Sequence, residues 1–294
     1  MNLIIDGNNL AHRSFWISEH QSKLSTTSGQ IVGCIYTFLN SIKSYAKNFN
    51  TNQIYIAWDK KLTYPSTNFR SELTKGEYKA QRPKEGLQSL FSQINEIESI
   101  VSYLGVKQFY PNIMEGDDVI AYLSYNLEGQ NLIISVDQDL AQLISNKTSF
   151  YDINKKHIVD VDNFKELIGI DQKHFIMYKA ILGDVSDNIN GIDGYGKKKA
   201  KILAENWNPN SLTQEQNAIV NQNIKLIDLT MGYQTYSEEV LSYQEQLKNN
   251  KNATFDIDKF KEYCIKFEFK SYIDYIEDWV KTFEGKDRLS SLFT

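Results

Sequence analysis

The sequence predicts an α/β fold, a mostly parallel central sheet flanked by helices, with a helical C-terminal region after it. Three observations predict this. NLII (2–5), QIYIAW (53–58) and NLIISV (131–136) are short apolar runs of strand length. Helix-like text such as 30–47 and 88–104 separates them, which is the alternation of parallel βα units. From about residue 160 strand signals fade and helical patterning dominates. The chain therefore divides into an α/β core, 1–159, and a helical region, 160–294.

Each apolar run ends in an aspartate: Asp6, Asp59 and Asp137. Open α/β sheets bind ligands outside the carboxyl ends of their strands, so these three acids mark the expected site. Between Asp59 and the helix near 88 runs an excursion, 60–87, with seven lysines and arginines against three glutamates. Connections of that length are usually functional or mobile. Within it Tyr64, Phe69 and Tyr78 read either as stacking surfaces for unpaired bases or as packing of the excursion on itself.

The bulk numbers narrow the class. In 294 residues, 41% are apolar, enough for a large core. The longest apolar runs fall short of a membrane span, and MNLIIDGNNL lacks a basic start and cleavage site, so no signal peptide or membrane partner is expected. The expected location is the cytoplasm. Cys34 and Cys264 read as buried thiols rather than a disulfide. His12, His20, His157 and His174 form no sequence cluster and read as structural or surface residues. A net charge of −5 argues against a nucleic-acid partner until the acids are placed.

More acids complete the pattern. EGDD supplies Glu115, Asp117 and Asp118 at a helix start, with Glu115 and Asp118 expected on one face. SVDQDLAQL supplies Asp137 and Asp139, and LGDVSDN supplies Asp184 and Asp187. With Asp6 and Asp59 that makes nine. Any one of them could be a helix cap or a solvated turn. All arising together by chance is a poor explanation. Converging acids repel one another unless cations relieve them, and paired hard divalent ions can flank a phosphodiester. Setting nine acids aside turns −5 into +4, so the rest of the molecule is mildly basic.

LIIDGNN, AWD, YKAQR, EGDD, SVDQDLAQL, GDVSDN and GIDGYGKKKA stand in the order and approximate spacing of the 5′ nuclease (flap endonuclease) superfamily. Over residues 2–205 the chain resembles a bacteriophage-type 5′ nuclease and the 5′-nuclease domain of bacterial DNA polymerase I. The resemblance implies a PIN-like nuclease core with the excursion as a basic arch. It implies two Mg²⁺ ions, with Mn²⁺ as substitute. Asp6, Asp59, Glu115, Asp117 and Asp118 would surround the first, catalytic metal; Asp137, Asp139, Asp184 and Asp187 the second. Asp6 and Asp118 are taken as catalytic together with Lys79 and Arg82, the basic pair of YKAQR that would meet the scissile phosphate, placed on one helical face by i, i+3 spacing although Pro83 disfavours helix at Arg82.

GIDGYGKKKA resembles the hairpin of a helix-hairpin-helix element, spanning 187–205. Gly191, Gly194 and Gly196 would let the turn approach a DNA backbone, Lys197, Lys198, Lys199 and Lys201 would add charge, and a K⁺ ion at the hairpin carbonyls is implied. Arg70 and Tyr78 complete the expected DNA contacts. The implied substrate is DNA with a 5′ flap, nick or 5′ end, and RNA in RNA–DNA hybrids, cut by a monomer during phage replication in a host cytoplasm. Two other readings are a PIN-like ribonuclease, which would lack the hairpin, and a non-catalytic fork-DNA-binding accessory, which would lack the acids. The end, DRLSSLFT (287–294), reads either as a frayed terminus or, through Leu292 and Phe293, as a docking peptide for a sliding clamp or single-strand-binding protein.

Overall fold

The structure is a computed structural model and describes residues 1–21, 23–59, 69–79, 81, 88–250 and 253–284. Arg82, Tyr64, much of the 60–87 excursion and the 287–294 peptide lie outside the described residues.

A six-stranded sheet forms the centre, in the order β3-β2-β1-β4-β5-β6. The strands are β1 (Asn2–Asp6), β2 (Ile54–Ala57), β3 (Lys107–Phe109), β4 (Asn131–Ser135), β5 (Thr148–Asp152) and β6 (His157–Val159). All pair in parallel except β6, which runs antiparallel to β5. The expected α/β class and the three apolar strands stand. The additional strands β3, β5 and β6 are edge-side pieces without a continuous apolar run.

Alternation along each central strand sends residues to opposite layers. Leu3 and Ile5 join one core with Ile54, Ile56, Leu132 and Ile134; Ile4 joins the other with Tyr55, Ala57 and Ile133. The first layer holds α1 (Gly7–Gln21), α2 (Gly33–Asn48) and α4 (Gln88–Tyr103). The second holds α5 (Gly116–Asn126), α7 (Phe175–Leu182), α8 (Lys197–Glu205), α9 (Gln214–Ile227) and α11 (Ser237–Asn249). Short helices α3 (Phe69–Leu73), α6 (Phe164–Ile168) and α10 (Thr230–Thr235) link these.

Helices α12 (Ile257–Lys266), α13 (Lys270–Asp274) and α14 (Ile276–Phe283) return to the first layer, where Phe260, Tyr272 and Trp279 are buried. The Trp279 indole lies 4.6 Å from the Tyr272 ring and beneath the Lys43 ammonium at 4.3 Å. Such buried aromatic contacts bind a segment firmly to its layer. Cys34 and Cys264 are both buried free thiols. No helix among the described residues is long and apolar enough to cross a membrane.

Strand order reverses between β1 and β4, and the crevice beyond their carboxyl ends is where an open α/β sheet binds ligands.

Candidate active site

Asp6 ends β1 in that crevice. It accepts hydrogen bonds from the Asn9 backbone N–H at 3.0 Å and from Ser135 Oγ, at the end of β4, at 2.9 Å. Asp59, just past β2, accepts from the Gly116 N–H at 2.7 Å, while its own N–H donates to Asn8 Oδ1 at 3.0 Å. Asp117 opens α5, and Asp137 follows β4 and caps the 3-10 turn Gln138–Leu143 by accepting from the Asp139 N–H at 2.9 Å. These four acids, with Asn8, Asn9, His12 and Lys79, line one crevice of about 280 Å³.

The crevice is electrostatically costly. Burial, then Asp59 and Asp137, pushes the Asp6 carboxyl up to about 7. Burial, then Asp137 and Asp6, holds Asp117 well above the usual carboxylate range. A bound divalent cation would remove that cost. Among the described residues no three His, Cys, Asp or Glu side chains converge tightly enough to chelate an ion as they stand. A looser carboxylate set nevertheless suits Mg²⁺, which keeps most of its waters and takes few direct protein ligands.

Two further acid pairs flank the crevice, each bridged by a lysine. Lys179, on α7, reaches Asp139 at 2.7 Å and Asp184 at 3.1 Å. Burial pushes Asp139 up to about 6 against the pull of Lys179. For Asp184 burial acts upward too, but hydrogen bonds from Ser186 and the charge of Lys179 bring it below its ordinary value. Lys79 reaches Glu115 at 2.8 Å and Asp187 at 4.0 Å. Burial would raise Glu115, yet Lys79 and Arg70 outweigh it and hold the carboxyl low.

Several expectations are corrected here. Glu115 and Asp118 do meet on one side of α5, but that side is turned inward: Glu115 is the extended N-cap and Asp118 the third residue, tied together by a capping box, and Arg70 Nη1 lies 3.8 Å from Glu115 and 2.7 Å from Asp118. Asp118 is fully buried, grips Arg70 through two 2.7 Å bonds and does not line the crevice with the other acids. Arg70, 1% exposed, also donates to the Leu226 carbonyl, which excludes a DNA contact. Asp137 stands between the two acid groups: it lines the crevice with Asp6, Asp59 and Asp117, and its charge also raises Asp139. Lys79 is not helical: its φ is +55, and its N–H donates to the Asp187 carbonyl at 3.0 Å. Tyr78 packs against the second core, with its hydroxyl within 3.3 Å of both Glu115 and Asp187, and Phe69 is buried beside Tyr236. Both rings are packing, not stacking surfaces.

In the hairpin, α7 and α8 are joined through a two-stranded turn, Gly183–Asp184 against Ile189–Asn190, and a loop that ends at Gly196, the N-cap of α8. Lys197, Lys198 and Lys199 are exposed on the first turn of α8. Lys201 instead donates to the Gly169 carbonyl at 2.6 Å. Gly191 serves internal packing: a Cβ there would fall 2.1 Å from the Leu182 carbonyl oxygen. Gly194, at φ +79, and Gly196 have open space around them. Sequence reasoning missed Lys179, although a lone charge inside the apolar FIMYKAIL helix was a usable signal. Asn8, Asn9 and Ser135, which orient Asp59 and Asp6, carried none.

The raised acids set a pH dependence. A carboxyl that binds its proton more tightly when folded stabilises the fold below its unfolded pKa of about 4 and loses that contribution as pH rises through its folded value. For Asp6 and Asp139 the window runs from about 4 up to about 7. In EDTA the melting temperature is therefore expected to fall by roughly 3–5 °C between pH 5 and pH 8. Mg²⁺ at pH 8 should restore it. Differential scanning fluorimetry reads this directly; a melting temperature that climbs from pH 5 to 8 in EDTA is the contrary result.

The switch-point crevice is thus lined by four carboxylates and a lysine. The family model of the 5′-3′ exonuclease N-terminal, resolvase-like domain matches residues 1–169. A 5′-3′ exonuclease of Mycoplasmopsis pulmonis is 35% identical over 211 residues, 70% of this chain and 66% of that protein. One from Buchnera aphidicola subsp. Schizaphis graminum is 34% identical over 209 residues, 70% of each chain. The thermostable DNA polymerase I of Thermus caldophilus is 28% identical over a region that makes up 24% of its length. The chain belongs to the 5′-3′ exonuclease family. It spans about two thirds of the length of the exonucleases it matches. Among solved structures, a bacteriophage T5 flap endonuclease in complex with DNA and metal ions has a TM-score of 0.66 at 23% identity, covering 86% of this chain and 100% of that one. The zinc-bound T5 5′-exonuclease gives 0.64 at 24%, covering 90% and 98%. At such identities the likeness establishes the fold.

Proposed function

We propose that the chain is a metal-dependent, structure-specific 5′ nuclease that hydrolyses phosphodiesters in flapped, nicked or 5′-ended DNA, and RNA in RNA–DNA hybrids. The observation that carries this is the convergence of Asp6, Asp59, Asp117 and Asp137 with Lys79 on the switch-point crevice. The solved flap endonuclease with DNA and metal ions supports it.

Asp6, Asp59, Asp117 and Asp137 would hold one Mg²⁺, and Asp139 with Asp184 and Asp187 a second, with Mn²⁺ able to replace either. When bound, such ions activate water and neutralise the charge that develops on a phosphodiester during in-line displacement. The protein's own residues do the rest. Asn9 and Ser135 fix the Asp6 carboxylate, and the Gly116 N–H fixes Asp59. Lys79 stands over the crevice with its backbone held left-handed, a conformation that costs of order 1–3 kcal/mol and persists only where its surroundings impose it. Its ammonium is held protonated: burial opposes the charge, but Glu115 outweighs it, so Lys79 offers a permanent cation to the scissile phosphate. The N-terminus of α8, with Lys197, Lys198 and Lys199, would hold the duplex as a helix-hairpin-helix, with K⁺ at the hairpin.

End-labelled flap, nicked, gapped and RNA–DNA substrates, incubated in Mg²⁺ and in EDTA, test the reading. Cleavage near the branch or 5′ end in Mg²⁺ alone is expected; metal-independent or absent cleavage rejects it. Lys79→Ala is expected to lower kcat by roughly 100-fold and change KM little. An equal loss in binding would make Lys79 a binding residue only.

A further inference from the structure

Helix α1 leaves the acid crevice carrying one continuous stripe. Asn9 and His12 line the crevice, and the same two residues, with Arg13, Trp16 and His20, line an adjoining open groove of about 510 Å³. The spacing 9, 12/13, 16, 20 is that of a single helical face. Trp16 is 55% exposed, an unusual position for so large an apolar ring. It is nevertheless held in place: the edge of Phe15 meets it at 5.9 Å and 73°, and the His20 ring lies 6.0 Å away. His20 is fixed in turn by Nδ1–H donating to the Trp16 carbonyl at 2.7 Å. Arg13, which lines the same groove, donates to Asn154 Oδ1 at 2.8 Å.

We propose that Trp16, backed by His20, is a stacking platform for an unpaired nucleobase of the strand whose phosphodiester lies in the acid crevice. The proposal rests on the nuclease reading and adds a subsite to it. Trp16 lies seven residues beyond Asn9, about 10 Å along the helix, which corresponds to about three base steps of ~3.4 Å. A groove continuous with the crevice, an aromatic face at that interval and an arginine lining the same groove together match a base and its phosphate. Any base offers a π-face, so the platform reads strand geometry and not sequence.

The test is fluorescence anisotropy of the full chain in EDTA with a 5′-flapped oligonucleotide and a fully paired duplex. Trp16→Ala is expected to weaken binding of the flapped DNA on the order of tenfold and leave the duplex unchanged, while Trp16→Phe stays within about threefold of the parent. Abasic sites placed one at a time beside the branch should reproduce the loss at one or two positions in the parent and have no further effect in Trp16→Ala. Unchanged flap affinity in Trp16→Ala, an equal loss on duplex, or abasic losses that add to the substitution overturn the platform. If the parent cleaves flaps in Mg²⁺ and Trp16→Ala still binds them as tightly, only the platform fails and Trp16 is left to a protein partner. A parent that neither binds nor cleaves DNA sinks the nuclease reading, and the platform with it.

Discussion

Asp117→Asn is expected to lower cleavage at least about a thousandfold, roughly 4 kcal/mol of barrier, and at the same time to raise the melting temperature of the metal-free protein. Asp117 faces Asp6, Asp59 and Asp137 across the crevice, and its proton affinity is driven up first by burial and then by Asp137 and Asp6. The amide would keep the shape of the carboxylate and remove the repulsion, which is stabilising where no cation is present. It would also remove a charge that helps hold the cation. Activity and stability should therefore move in opposite directions, as they do where a site stores strain for function. Quench-flow cleavage in Mg²⁺ and melting in EDTA give the two readouts. Full activity, or a melting temperature that falls in EDTA, would remove Asp117 from the catalytic set.

Its neighbour should behave in the opposite way. Arg70→Met is expected to destabilise the fold by about 3–5 kcal/mol, because it leaves Asp118 buried with no partner for its charge. Methionine replaces most of the arginine's volume, so the loss reports the charge more than a cavity. The double change Arg70→Met with Asp118→Leu should recover most of the stability, since an apolar pair in place of a buried ion pair is often neutral. Space around Asp118 is tight: a Cβ on Gly232 would lie 2.5 Å from its Oδ1, so the recovery depends on how leucine seats under α10. Urea denaturation of the single and double variants decides it. A single variant that loses less than about 1 kcal/mol would show the pair to be dispensable.

The sequence was most legible where one physical signal acted alone. Apolar runs ending in aspartate marked β1, β2 and β4 and the strand ends from which Asp6, Asp59 and Asp137 project. Lys107–Phe109 and His157–Val159 are too short for periodicity to show, and they pair because neighbouring strands are already in place. The acids were legible as a set, but their grouping was not. Spacing put Glu115 and Asp118 on one face, and they do meet there, but spacing could not show that this face turns inward onto a buried arginine 48 positions before Asp118. Arg70 looked like one more charge in a basic stretch, because nothing local announces burial of a guanidinium. Lys79 likewise adopts a left-handed backbone that its residue type does not signal.

The left-handed turn at Lys79 has a mechanical side. Its N–H is bonded to the Asp187 carbonyl, Gln81 Nε2 donates to Asn188 Oδ1 at 3.1 Å, and Asn188 Nδ2 donates to the Glu77 carbonyl at 2.9 Å. Glu77, Lys79 and Gln81 are thus stitched to a segment more than a hundred positions downstream. The position of the Lys79 backbone and that of the turn carrying Asp184 and Asp187 are therefore fixed by one shared set of hydrogen bonds.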